Sequence, residues 1–153
     1  MKTPVIVRSR NAVIKQSRRS LSGAEMTLVS FDRKAPLIVV PVTVKMGIEI
    51  SKFKFAVDTG ATISLIDTSV LTALGYTKAD ILRTTHTITA SKTETVFEYS
   101  LDNIMAIGLL RRNFKVISRS LPVGLGVDGL LGLNFFKDKE LTIDFKLSEI
   151  QLK

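Results

Sequence analysis

From Pro36 onward, apolar and polar positions alternate in short runs separated by turn residues, the period-two pattern of strands half buried against a core. Leu37 to Met46 alternates through Val40, Val42 and Val44. Pro41 inside that run points to an edge or a bulge, because proline brings no N–H to a ladder. After a turn at Gly47, Phe53 to Val57 forms a second strand with Phe53, Phe55 and Val57 on one face. Ser64-Leu65-Ile66 is a short third strand; Asp67 or Thr68 can then cap a helix that runs to Leu74 and stops at Gly75. Arg83 to Ala90 and Thr93 to Leu101 alternate around Ser91-Lys92 and predict a long β-hairpin. Ile104–Ile107 and Phe114–Ile117 read as two further strands, separated by Gly108 and the basic pair Arg111-Arg112. The turn-rich Pro122–Gly126, the segment Gly129-Leu130-Leu131-Gly132, a brief helix at Asn134–Lys137 and strands at Leu141–Phe145 and Ile150–Leu152 complete the chain. Many short strands with one or two short helices define an all-β domain, a closed barrel or a sandwich.

One strand ends in chemistry. Phe55-Ala56-Val57 runs straight into Asp58-Thr59-Gly60-Ala61. A carboxylate at the mouth of an apolar strand is costly to desolvate, so its presence there marks a candidate functional group. Thr59 can hydrogen-bond within the turn, and Gly60 allows the backbone to approach a partner closely. Two such carboxylates face to face share one proton, since like charges at contact cannot both ionise. The chain holds a single copy of this tripeptide.

Composition narrows the classes. At 153 residues the chain is one domain with room for an extra arm. It has no Cys, which excludes a disulfide framework, a thiolate nucleophile and a Cys-ligated zinc. Its one His, His86, leaves neither a His-based metal site nor a Ser-His-Asp triad within one chain, and no cofactor or metal is expected. The net charge of +8 is concentrated at the start, where residues 1–34 carry eight Lys/Arg against Glu25 and Asp32. Residues 1–34 therefore read as a basic, solvated and partly disordered extension, with the folded domain at 35–153. Ser17-Arg18-Arg19-Ser20-Leu21 has a twin-arginine look but lacks the apolar core that a leader needs after it. No apolar run is long enough to span a bilayer, and a cytoplasmic location is expected.

The order of these pieces resembles the retropepsin-like aspartic proteases, single-lobe relatives of the retroviral enzymes with bacterial members. Three elements carry the resemblance: Asp58-Thr59-Gly60-Ala61 with Ser64 shortly after; the hairpin Arg83–Leu101 where the family places its flap; and Gly129-Leu130-Leu131-Gly132-Leu133-Asn134 followed by Phe135-Phe136. Leu141-Thr142-Ile143-Asp144-Phe145 is similar to the closing strand, so the likeness spans residues 36 to 152. It implies a closed single-lobe β-barrel with a flap, functional as a symmetric homodimer. It also implies an aspartic endopeptidase in which a water is activated between Asp58 of two protomers. Of the eight Asp, only Asp58 has the catalytic context, and Asp128-Gly129 fits better as a turn before Leu130-Leu131. By the same resemblance Thr59 and Gly60 support the active site, Ala61, Leu130 and Leu131 line the substrate pocket, and Ala90, Ser91 and Lys92 form the flap tip over a peptide or protein substrate. The sequence departs from viral members in its glycine-free tip, in Thr62 where an acidic residue is common, and in the basic arm. A competing expectation is a catalytically idle peptide-binding or dimerisation module on the same fold.

Other signals have plainer readings. Gly124-Leu125-Gly126-Val127-Asp128-Gly129 matches a dinucleotide fingerprint formally but lacks the βαβ setting, and reads as a turn-rich connection. His86 reads as a strand residue, Phe135-Phe136 as packing, Lys137–Glu140 as a solvated charged turn. Arg111-Arg112 lacks interleaved aromatics and reads as solubility, so nucleic acid is not an expected partner.

Overall fold

The computed structural model describes residues 14–19, 25–88 and 93–153. Eleven strands are present among them: β1 (Ile14–Arg19), β2 (Glu25–Ser30), β3 (Val39–Met46), β4 (Glu49–Val57), β5 (Leu65–Asp67), β6 (Arg83–Ile88), β7 (Thr93–Ala106), β8 (Leu109–Arg119), β9 (Gly129–Leu131), β10 (Leu141–Asp144) and β11 (Glu149–Leu152). The helices are α1 (Thr68–Ala73), α2 (Leu133–Phe136) and two single 3-10 turns at Lys78–Asp80 and Val123–Leu125. No helix among the described residues is long and apolar enough to cross a membrane.

Six strands close on themselves in the order β3-β4-β9-β5-β8-β7, with β7 returning to β3 through Val42↔Ala106 to Lys45↔Asn103. Closure leaves no free edge inside the ring. Pro41 lies one residue before the β3–β7 pairing starts, where its missing N–H costs nothing. Alternation sends Val40, Val42 and Val44 inward from β3, and Phe55 of β4, Leu101 and Ile104 of β7 and Val116 of β8 are buried with them. With Leu131 and Phe135 they form a continuous core whose largest side chains are fully buried.

The hairpin β6–β7 stands outside the ring, paired from Arg83↔Glu98 to Ile88↔Thr93. β7 differs from the sequence reading. Ile104–Ile107 is not a separate strand but the end of one fourteen-residue strand that begins at Thr93. The turn into β8 is the pair Ile107-Gly108, both at positive φ, which is the conformation that matches the twist of a two-residue hairpin. Arg111-Arg112 therefore lies within β8 rather than in a connection.

A second sheet of four strands, in the order β1-β2-β11-β10, packs on the same core. β2 pairs with β11 from Thr27↔Leu152 to Ser30↔Glu149. Within the segment read as a basic extension, residues 25–30 thus belong to a sheet, and Val29 and Phe31 are buried in the core with Ile150 and Leu152. A Cβ on Gly108 would fall 2.0 Å from Thr27 Oγ1, so β2 also presses against the β7–β8 turn. Residues 1–13 and 20–24 of that segment lie outside the described residues.

Candidate active site

The Asp58 turn is built by strand pairing. β4 runs parallel to β9, with Phe55 opposite Gly129 and Val57 opposite Leu131. The close approach needs glycine at 129, where a Cβ would sit 2.5 Å from the Phe55 ring and from the Leu65 carbonyl. At the end of the pairing the Asp58 N–H donates to the Leu131 carbonyl at 2.9 Å, and the Val57 N–H donates to Ile38 O at 2.8 Å. Beyond that point the chain folds back on itself: Gly60 N–H donates to Asp58 Oδ1 at 3.0 Å and Ala61 N–H to Asp58 O at 3.2 Å. Asp58 is half-buried, whereas Thr59 and Gly60 are exposed on the single subunit.

A second loop holds the first. The Ser64 hydroxyl, fully buried, donates to Asn134 Oδ1 at 2.8 Å and accepts the Gly132 N–H at 2.9 Å. Ser64 N–H shares the same Asn134 oxygen at 2.8 Å, and Asn134 Nδ2 donates to Lys115 O at 2.9 Å. Leu133 N–H donates to Ala61 O and Asn134 N–H to Thr62 O, at 2.8 and 3.2 Å. The segments 61–64 and 132–134 are therefore sewn together by five hydrogen bonds, and a Cβ at Gly132 would meet backbone atoms of Ala61 and Ile63 within 2.9 Å. Both uses of the Ser64 hydroxyl are satisfied, which keeps a buried polar group from costing stability.

The sequence-predicted residues fall in different places. Asp58, Thr59 and Gly60 form the turn itself; Ala61 and Leu130 are half-buried beside it. The Leu131 side chain is fully buried in the core, so what Leu131 presents to the turn is its main chain. Ala90, Ser91 and Lys92 lie outside the described residues. Asp128 is a joint in the fold: its Oδ2 accepts Lys54 N–H at 2.8 Å, its N–H donates to Lys54 O, and its carbonyl accepts Asp67 N–H. His86 is exposed on β6, and the Gly124–Gly129 run starts within the 3-10 turn Val123–Leu125 and leads directly into β9.

Two positioning residues, Ser64 and Asn134, had no role assigned from sequence. The available signal for Ser64 was a hydroxyl inside an apolar strand, and Asn134 had none beyond its place in the downstream motif. Arg111 is also more than a solubilising charge. Its guanidinium donates to Phe135 O at 3.0 Å and to Lys137 O, satisfying carbonyls at the end of α2.

Asp67, at the end of β5, serves the frame rather than the chemistry. One oxygen accepts the Ser69 N–H and hydroxyl as the N-cap of α1, and the other accepts Leu121 N–H at 2.8 Å. Partial burial works against its charge, but the bonds from Leu121 and Ser69 outweigh it and hold the carboxyl below its ordinary pKa. At Tyr76, burial followed by the nearby Asp102 charge pushes the phenol up.

A closed single-lobe barrel with a projecting hairpin and an Asp-Thr-Gly turn braced by a Gly-Leu-Leu-Gly strand is the retropepsin-like fold. The chain belongs to the aspartyl protease family, whose model matches residues 40–135. Among solved structures it is similar to a retropepsin-like aspartic protease from Rickettsia conorii, with a TM-score of 0.63 and 19% sequence identity over 95% of this chain and 96% of that one. No curated protein matches the sequence.

Proposed function

We propose that the protein is an aspartic endopeptidase that acts as a symmetric homodimer, with Asp58 of each copy forming the catalytic dyad. The observation that carries this reading is the braced turn. Asp58 is held through its main chain by Leu131 and its loop is tied to the 132–134 segment, yet the adjoining Thr59 and Gly60 are left exposed. Leu133, 47% exposed and bonded through its N–H to Ala61, adds apolar surface beside the same turn. A second subunit would cover these groups and bring a second carboxylate to the first.

In the dyad one carboxyl is ionised and its partner holds the shared proton. The ionised group takes a proton from water as its oxygen attacks the peptide carbonyl, while the protonated group donates to the carbonyl oxygen. The tetrahedral diol then collapses: the carboxyl that took the water's proton gives it to the nitrogen as the C–N bond breaks, and a diol hydroxyl returns its proton to the other carboxylate. Thr59 would brace the two turns, Gly60 would bind substrate main chain, and Ala61 and Leu130 would line the pocket. Ala90, Ser91 and Lys92 would close over an extended peptide bound by strand addition. The pH profile of cleavage is expected to be bell-shaped, with both apparent pKa values belonging to the pair.

Asp58→Asn tests the reading directly. The variant should keep its assembly state and lose cleavage of a peptide library by at least about 10³-fold, the scale on which a member of a catalytic pair matters. Cleavage retained in that variant removes Asp58 from the mechanism. Peptide binding without cleavage in the wild type, over a wide pH range, supports the idle module instead.

A further inference from the structure

Glu98 is a carboxylate that the proposed mechanism does not use, and it is 3% exposed. It sits on β7 at the root of the hairpin, directly opposite Arg83 of β6. Its Oε2 pairs with Arg83 Nη2 at 3.0 Å and its Oε1 with Lys115 Nζ of β8 at 3.4 Å. Both cations are about two-thirds exposed, at 64% and 66%, so they form a solvated cover over a desolvated acid. The Glu98 carbonyl also accepts Leu82 N–H at 2.8 Å, which grips the entry to β6 a second time.

The position along the strands gives this cluster its meaning. β7 pairs with β8 only from Phe97↔Ser118 toward the barrel, while its pairing with β6 continues out to Ile88↔Thr93. Glu98 therefore lies within the last stretch where β7 is flanked on both sides. Tipward of Phe97 the hairpin is two-stranded, and Glu94 there pairs with Arg119 of β8 at 2.7 Å, with side chains 24% and 35% exposed. A buried acid bonded to both neighbours is costly to pull apart, because separation leaves a desolvated charge. Glu94 is less deeply buried than Glu98, so parting it from its cation strands a less desolvated charge.

We propose that Glu98 is a positioning residue for the hairpin: clamped between Arg83 and Lys115, it fixes the root to the barrel, so that the hairpin bends tipward of Phe97 and not at its base. The inference rests on the protease reading for its consequence, since the hairpin is the element that would close over substrate. Its geometry is independent of that reading. With the root fixed, bending falls on the outer pairs from Thr85↔Val96 to Ile88↔Thr93 and on the Glu94–Arg119 bridge.

Amide hydrogen exchange on the full-length chain tests it, compared with peptide kinetics. In Glu98→Gln, exchange at residues 83–85 and 96–98 should rise about tenfold, with β3 and β4 amides unchanged. Arg83→Gln, at a cation 64% exposed, should show the same local rise, and Arg83→Lys should reverse most of it. In an active preparation KM for a long peptide should increase several-fold with kcat nearly constant, the pattern of a misplaced cover. Arg119→Gln should raise exchange at residues 94 and 95 and leave the root protected. Unchanged root exchange in Glu98→Gln and Arg83→Gln overturns the clamp, as does a rise shared equally by the whole barrel. If the wild type cleaves no peptide, the protease reading fails and the exchange pattern alone decides the clamp.

Discussion

Ser64 places one buried hydroxyl between the two loops that define the candidate site, bonded to Asn134 Oδ1 and to the Gly132 N–H. In Ser64→Ala the Gly132 N–H is left without an acceptor in a dry environment, which costs about 1–3 kcal/mol. Thermal unfolding should register that loss, and cleavage should fall further than stability because the loop bearing Asp58 is no longer held. Gly132→Ala is a sterner test. The added Cβ would meet backbone atoms within 2.9 Å, and backbone cannot move aside as a side-chain tip can. A destabilisation of about 1–3 kcal/mol is expected in the urea midpoint, the range for forcing atoms into a packed site. Asp58 itself was legible from sequence, because an apolar run ending in a carboxylate is a local pattern. Ser64 and Asn134 were not, because their roles exist only once residues seventy positions apart come into contact.

Among the elements, α1 shows a carboxylate used for architecture. Asp67 caps the helix and receives Leu121 N–H, so β5, α1 and the segment after β8 meet on one side chain. Its folded-state pKa lies below the ordinary value of 3.8. The sign follows: the stabilisation is complete above the unfolded-state pKa and is lost as pH falls through the lower folded value. Urea midpoints measured from about pH 6 to about pH 2 should therefore drop less steeply in Asp67→Asn than in the wild type. At neutral pH Asp67→Ala should cost about 0.5–2 kcal/mol, the usual loss of an N-cap. This helix was predicted nearly to the residue, since a cap and a terminal glycine are neighbours of what they signal. β7 was not. Its polar interruption at Asp102-Asn103 looked like a break, and only cross-strand pairing to β3 and β8 shows it to be continuous.

For the assembled protein the central expectation is that one chain carries half a site. Mixing the wild type with an equal amount of Asp58→Asn, under conditions where subunits exchange, should lower cleavage to about half of that of the same wild-type quantity alone, since random pairing leaves only a quarter of the dimers intact. Full retention of activity would mean that each chain works by itself. Specific activity should also fall on dilution, in step with dissociation followed by sedimentation. The four-stranded sheet bears on this, because β2 and β11 already pair within one chain. Any interface through that sheet would have to use its outer strands or faces.

The sequence alone determined the class of fold, the Asp58 turn, the capped helix and the downstream Gly-Leu-Leu-Gly segment, because each is written in residues that are neighbours along the chain. Tertiary structure decided what distant residues do to one another. It closed six strands into a ring, drew residues 25–30 into a sheet with the C-terminal strand, and gave Ser64, Asn134 and Arg111 their partners. It also buried Glu98 between cations from two other strands. Hydrogen bonds and burial across long sequence separations leave no local periodicity to read, so those parts become visible only when the chain is folded.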